Sequence, residues 1–337
     1  MFCLKSLNYQ IQKNNKLKFQ IDLSESEQRL DKWIKRKFLK VPQSLLEKSS
    51  RKGRIKLNGK KVKLSYKIKQ GDVIEVPNFK FEKKIKTKIN ININNLRILE
   101  KKIINQIVHK DNDKIIINKP PGIAVHRGTK ISLSIDDIKD KLKFNSKESP
   151  RIIHRIDKET SGLLVIARTY KSSVYLSKQF KEKNIEKFYI AILNGIPRKK
   201  SGVITEKIKD KKNKDAKTRY IILKKIEKKF SFVLLKPETG RKRQIREHCF
   251  KLGCPIVGDK KYFKNLDKNK KIEPNKLFLH AYKLKLTTQY NEDEEYTAPF
   301  PDHIKKFCYL YKIPISKSFI NKFVITNILK GVIKLKN

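Results

Sequence analysis

The chain has 337 residues with 38 % apolar content, enough for a real core in one or two domains, which excludes a disordered tail. Its 83 Lys and Arg against 33 Asp and Glu leave a net charge of +50, which repels itself unless RNA, DNA or an anionic membrane surface offsets it. No apolar run approaches the roughly 20 residues that cross a bilayer, and four scattered cysteines (Cys3, Cys249, Cys254, Cys308) without a signal peptide fit a soluble cytoplasmic chain with free thiols.

Residues 1–20 read as a polar extension. In "RLDKWIKRKF" (29–38), Leu30, Trp33, Ile34 and Phe38 fall at helical spacing with cations on the opposite face. A second helix follows Pro42 and is closed by Gly53. Asn58-Gly59 then joins two alternating segments, a strong hairpin signal, and "KQGDVIEV" adds a strand ending near Val76. The result is a compact basic α/β module over 21–80. Through "RLDKWI", "GRIKLNGKKV" and "GDVIEV" it resembles the S4 RNA-binding domain, with Arg29, Lys32, Arg51 and Arg54 as its candidate RNA contacts; a basic dimerisation module is the alternative reading.

Residues 81–110 are rich in Lys, Asn and Ile and read as a linker with one helix across "NNLRILEKKIINQIV". From "DKIIINKPPGIAVH" (113–126) short apolar runs broken by Gly and Pro indicate a mainly sheet-based α+β domain over 111–310. "IIIN", "LLVIAR", "KFYIAILNG" and "FSFVLLK" read as strands, and "SSVYLSKQFKEKN" as an amphipathic helix. The tail, 311–337, is apolar and basic and is expected to dock on that domain.

In "HRIDKETSG" (154–162), Asp157 occupies a polar turn just ahead of the buried strand "GLLVIAR", where a rigid element would present it to a cleft. Alone, such an Asp is more often a turn or cap residue. The second stretch is "KPETGRKRQIREHCFKLGCPIVGDKKY" (236–262), with Arg241, Lys242, Arg243 and Arg246 close together beside Gln244. Such a cluster is ordinarily a solvated face or a phosphate patch. One cation turned inward would pair with Asp157 and stabilise its charge. Cys249 and Cys254 have no second Cys/His pair at ligand spacing, so no metal site is expected.

Taken together, "NKPPGIAVH", "HRIDKETSGLLVIAR", "EKFYIAILNG", "TGRKRQIREH", "GCPIVGDKKY" and "LFLHAYKL" resemble, in order and spacing, the RluA/RluC/RluD-type family of RNA pseudouridine synthases. "TSGLL" and "KDAKTRYIIL" lie nearest the RluC type. The resemblance implies a mainly antiparallel mixed sheet with flanking helices, following the S4-like module. It also implies an enzyme that isomerises chosen uridines of large-subunit ribosomal RNA to pseudouridine, with no cofactor and no metal; monomer is the default for a state the sequence leaves open. The family's essential aspartate maps onto Asp157, with two roles open to it: attack on the ribose, or removal of a ribose proton.

Carried over in the same way, Tyr189 stacks on the uracil, Arg246 pairs with the aspartate and Ile245 lines the pocket. Arg155, Arg241 and Gln244 contact the RNA, and His154, also a candidate RNA contact, chiefly buttresses the loop. Lys119, Pro120, Pro121 and Gly122 form a rigid turn at the rim. Where the family usually has Thr or Ser followed by His, this chain has Lys242 and Arg243. The competing functions are a transfer RNA synthase and a non-catalytic RNA-binding protein on a synthase scaffold.

Overall fold

A computed structural model describes residues 9–12, 16–22, 25–38, 41–77, 79, 93–127, 133–208, 215–262 and 276–326. The chain divides into two compact units, Met1–Lys88 and Ile89–Asn337.

In the first unit the elements run β1 (Tyr9–Gln12), β2 (Lys16–Gln20), α1 (Leu30–Lys37), α2 (Gln43–Arg51), β3 (Lys56–Leu57), β4 (Lys60–Lys61) and β5 (Val73–Pro77). The five strands form one sheet in the order β1-β2-β5-β3-β4. The expected hairpin forms between β3 and β4: Leu57 pairs with Lys60, and both turn residues have positive φ, 48° at Asn58 and 76° at Gly59, as a tight two-residue hairpin turn demands. Leu30, Trp33 and Ile34 of α1 are fully buried against the sheet, with the Trp33 ring edge-on to Phe19. Phe19 and Leu17 belong to β2, so residues 16–20, read as part of an extension, instead supply a strand and core side chains. Most of that extension lies outside the described residues.

The second unit contains α3 (Ile93–Ile104), β6 (Ile107–Lys110), β7 (Lys114–Lys119), α4 (Ile135–Ile138), β8 (Arg151–Ile152), β9 (Ser161–Ala167), α5 (Tyr170–Glu182), β10 (Glu186–Asn194), β11 (Ser201–Ile204), β12 (Thr218–Ile226), β13 (Phe230–Pro237), α6 (Gln244–Lys251), β14 (Leu279–Thr287), β15 (Asp293–Thr297), α7 (Asp302–Leu310) and α8 (Lys317–Thr326). Its sheet runs β11-β12-β13-β10-β14-β9-β7-β6, with β15 beside β14 and β8 beside β9. Every pair is antiparallel except β14 with β9, so the sheet is mixed and mainly antiparallel.

Strand β9 is buried along its whole length because both faces are covered. Leu164 and Ile166 pack with Leu99 and Ile103 of α3 and with α4, while Leu163, Val165 and Ala167 pack with Leu176 of α5. The period-2 alternation of a strand thus feeds two helical layers. Residues 93–110 are therefore not linker: α3 buries two side chains in this core and β6 pairs with β7. The rest of the expected linker, 81–92, lies outside the described residues. Of the tail, Ile313 and Ile320 are buried in the cluster that also holds Phe230, Phe307 and Leu234, and residues beyond 326 lie outside the described set. No described helix is long and apolar enough to cross a membrane.

Candidate active site

The parallel pair β14–β9 joins the two halves of the sheet, and the site forms at that seam. Ala281 of β14 pairs with Gly162 on one side and with Tyr189 of β10 on the other. A Cβ on Gly162 would lie 2.2 Å from the Ala281 carbonyl oxygen, and its φ of +107° disfavours any side chain, so only glycine permits this approach. The Asp157 turn leads straight into that glycine, which sets it across one strand from Tyr189. A β-bulge between Phe188 and Tyr189 interrupts the β10 register there; Phe188 is fully buried while Tyr189 faces an open cleft. On its far side Tyr189 pairs with Leu235 of β13, and that strand ends at Pro237, where the arginine-rich loop begins and leads into α6.

The cleft, about 480 Å³, is lined by both loops and has Ile156, Ile245 and Leu279 among its apolar walls. That volume is in the range of pockets that enclose a small ligand. Arg246 reaches in from α6, and its Nη1 stands 3.7 Å from Oδ2 of Asp157. Its other two nitrogens are committed: Nε donates to Oδ2 and Nη2 to Oδ1 of Asp259, both at 2.7 Å. Asp259 is fully buried and also accepts from the backbone N–H groups of Lys261 and Tyr262. Burial works against the charge of Arg246, and the two bonds to Asp259 outweigh it, holding the guanidinium above its ordinary pKa. Burial, with the charge of Asp157 next, raises the Tyr189 phenol, so that ring remains protonated at neutral pH.

The cleft thus holds a carboxylate between apolar walls, beside one clamped arginine and one protonated phenol. The family model described as RNA pseudouridylate synthase matches residues 113–251. The ribosomal large subunit pseudouridine synthase C of Rickettsia conorii is 36 % identical over 291 residues, spanning 81 % of this chain and 94 % of the relative. The chain belongs to the RNA pseudouridine synthase family. The synthase has a similar likeness, 36 % over 277 residues, to the protein of the same name in Buchnera aphidicola subsp. Schizaphis graminum, covering 75 % of this chain and 84 % of that one. The S4 domain model matches residues 28–74. Among solved structures, human RNA pseudouridylate synthase domain containing 4 aligns with a TM-score of 0.58 at 26 % identity, over 65 % of this chain and 98 % of that one.

Eight of the residues singled out in the sequence line this one cleft of the synthase: Asp157, Tyr189, Arg246, Arg155, Ile245, Arg241, Gln244 and His154. Two of them have their polar atoms engaged inside the protein. Gln244 is buried, and its amide is spent inside the protein: the oxygen accepts from the Thr239 hydroxyl and the Arg241 N–H, and the nitrogen donates to the Lys217 carbonyl and Thr218. It ties the arginine loop to β12 and has no valence left for RNA. His154 accepts the Val165 N–H at Nε2 and stacks on Phe180 with ring centroids 4.1 Å apart. Burial, aided by the charge of Lys187, lowers its pKa to about 3, so the ring is a neutral buttress. Arg155 is exposed at the mouth. Arg243, at φ +58°, starts α6 in the left-handed region with Lys242 exposed beside it, so the two departures from the family pattern put cations on the cleft wall.

The rim turn is architectural. Lys119 is fully buried and its Nζ donates to the carbonyls of Pro120, Ile123 and Lys158, which uses all three ammonium hydrogens. The Gly122 N–H donates to the same Lys158 carbonyl, so the residue following Asp157 is held twice. Burial draws the Lys119 ammonium down to about 7 against the opposing charges of Glu159 and Asp157.

In the first unit Lys32, Arg51 and Arg54 are exposed, while Arg29 is turned onto Asp31, with Nε and Nη2 at 3.1 and 2.8 Å from its carboxylate. Sequence reasoning missed Asp259 altogether. Its one available signal was the Gly258-Asp259 pair inside a quoted motif. Gly258 is needed there because a Cβ would meet the Lys276 carbonyl at 1.8 Å.

Proposed function

We propose that this enzyme forms pseudouridine in large-subunit ribosomal RNA with Asp157 as its central catalytic group. The observation that carries the reading is the apposition of Asp157, Arg246 and Tyr189 in one cation-rimmed cleft. Among the described residues Asp157 has a single ion pair, the 3.7 Å contact with Arg246, which leaves carboxylate lone pairs directed at the cleft. The ribosomal target is supported by the names of the relatives and by the S4 match, since a second basic unit adds phosphate contacts.

The target uridine is extruded from its stack into the cleft at a cost of a few kcal/mol, offset by contacts to the RNA backbone. The C1′–N1 glycosidic bond breaks, the uracil turns without leaving the cleft, and C1′ bonds to C5; the C5 proton is lost and N1 gains one. Asp157 stands at the ribose, Tyr189 stacks on the released base as a neutral ring, and Arg246 orients Asp157. Ile245 supplies an apolar wall, while Arg155 and Arg241 meet the RNA at the mouth.

Carbodiimide modification and reverse transcription of ribosomal RNA, incubated with the wild-type chain and with Asp157→Asn, test the reading. New stops at defined large-subunit positions are expected with wild type only. Stops confined to transfer RNA would move the substrate, and equal stops with Asp157→Asn would remove Asp157 from its role.

A further inference from the structure

Lys187 lies on β10 two residues before Tyr189, and its side chain lines the same cleft. Unlike Arg155 and Lys242 at the mouth, it is half-buried. Its ammonium lies 5.8 Å from the centroid of the Phe180 ring, whose face also carries His154. The nearby carboxylates have other cations as their ion-pair partners. Glu186 pairs with Lys236, Glu238 with Lys217 and Arg219, and Asp157 faces Arg246. Among the described residues no carboxylate lies within 4.0 Å of the Lys187 ammonium. Burial lowers its pKa, and no neighbouring anion opposes that. A recessed cation without a counter-charge is costly in the free protein and becomes favourable once an anion arrives.

Resting on the synthase reading above, we propose that Lys187 is an anion subsite that receives a phosphodiester flanking the flipped uridine. A nucleotide that swings into the cleft brings its own phosphates with it. The base then lies against Tyr189, and the charge of an adjacent linkage enters a cleft where Lys187 is a recessed cation with no carboxylate partner among the described residues. Phe180 and the neutral His154 line this side of the cleft and add no negative charge that would compete. Exposed Arg155 and Lys242 meet the strand at the mouth of the cleft, whereas Lys187 acts deeper, on the extruded nucleotide.

The test uses the full chain, Lys187→Met and Lys187→Arg, on a ribosomal RNA hairpin carrying a uridine mapped as above. The hairpin is made once with natural linkages and once with uncharged methylphosphonates on both sides of that uridine. Met keeps the length of the side chain, and a thermal unfolding scan verifies the fold. Lys187→Met is expected to weaken binding of the natural hairpin about tenfold. It should also make the slope of log affinity against log salt shallower by about 0.7, with the single-turnover rate at saturation within threefold and Lys187→Arg near wild type. On the methylphosphonate hairpin wild type and Lys187→Met should bind alike. An equal loss on both hairpins overturns the subsite, as does unchanged affinity with a slower saturated rate, while wild-type turnover shows the synthase reading intact. If wild type turns over no ribosomal RNA, both readings fall together.

Discussion

Asp259 grips Arg246 through two 2.7 Å hydrogen bonds, while Asp157 stands 3.7 Å from the same guanidinium. The fork geometry of arginine lets one side chain be fixed by a buried carboxylate and still present a nitrogen to another. Lysine has no such fork.

Asp259 is accordingly a positioning residue. Asp259→Asn keeps the shape but weakens the clamp, and the single-turnover rate should fall about 100-fold, the scale of loss expected from a small misplacement at a reacting centre. RNA affinity should stay within threefold. Asp259→Ala leaves Arg246 buried without its partner and should cost about 3–5 kcal/mol of stability. A wild-type rate for Asp259→Asn in a quench-flow assay would remove the clamp from catalysis.

Two glycines with similar backbones should respond differently to alanine. Gly122 has φ +83° and nothing within 4 Å of an added Cβ, so Gly122→Ala pays only the left-handed backbone cost, about 1–2 kcal/mol. Gly162→Ala drives a methyl into the backbone of Ala281 at the seam. It should lower the urea midpoint much further and abolish turnover, because the Asp157 turn and Tyr189 are registered through that contact. Equal midpoints would show that the seam yields without cost.

Acid should destabilise the fold through two neutral histidines. Burial lowers His154 and His280 to about 3 each, against an ordinary value near 6.5 in the unfolded chain. Between those values the unfolded state binds the proton that the folded state refuses, so stability is full above about pH 6.5 and falls as pH drops toward 3. Each ring contributes about 1.4 kcal/mol per pH unit within that window. His280 also faces the Ser161 hydroxyl and the Ala298 carbonyl, polar neighbours that a charged ring would have to share. Urea unfolding at pH 6.5 and 5 should give a smaller pH difference in His154→Gln than in wild type; an unchanged difference would exonerate His154.

Removing residues 1–88 separates the two compact units at their boundary. The remaining unit holds the whole cleft and should keep a cooperative unfolding transition. Its affinity for ribosomal RNA should fall, and the salt slope should become shallower by roughly 2 if Lys32, Arg51 and Arg54 each meet a phosphate. Arg29, already paired with Asp31, should add little. An unchanged slope would take these three cations out of RNA binding.

The features legible in the sequence were those set over a few residues or by a period. The Asn58-Gly59 turn, the α1 apolar face and the buried strands β7, β9, β10 and β13 are of this kind. The ordered motifs also place Asp157, Tyr189 and Arg246 in one site.

Tertiary structure decided which side chains the site residues face. Gln244 and Arg246 are two apart on α6, so they point in different directions, one to the start of β12 and the other toward Asp157 and Asp259. Residues 93–110 look like polar linker, yet Leu99 and Ile103 find cover only where β7 and β9 pass beneath them. Turn chemistry and periodicity act through the local backbone and are written in adjacent residues. The partner of a buried charge is set by strand register and helix placement across the sheet, which no short stretch of sequence encodes.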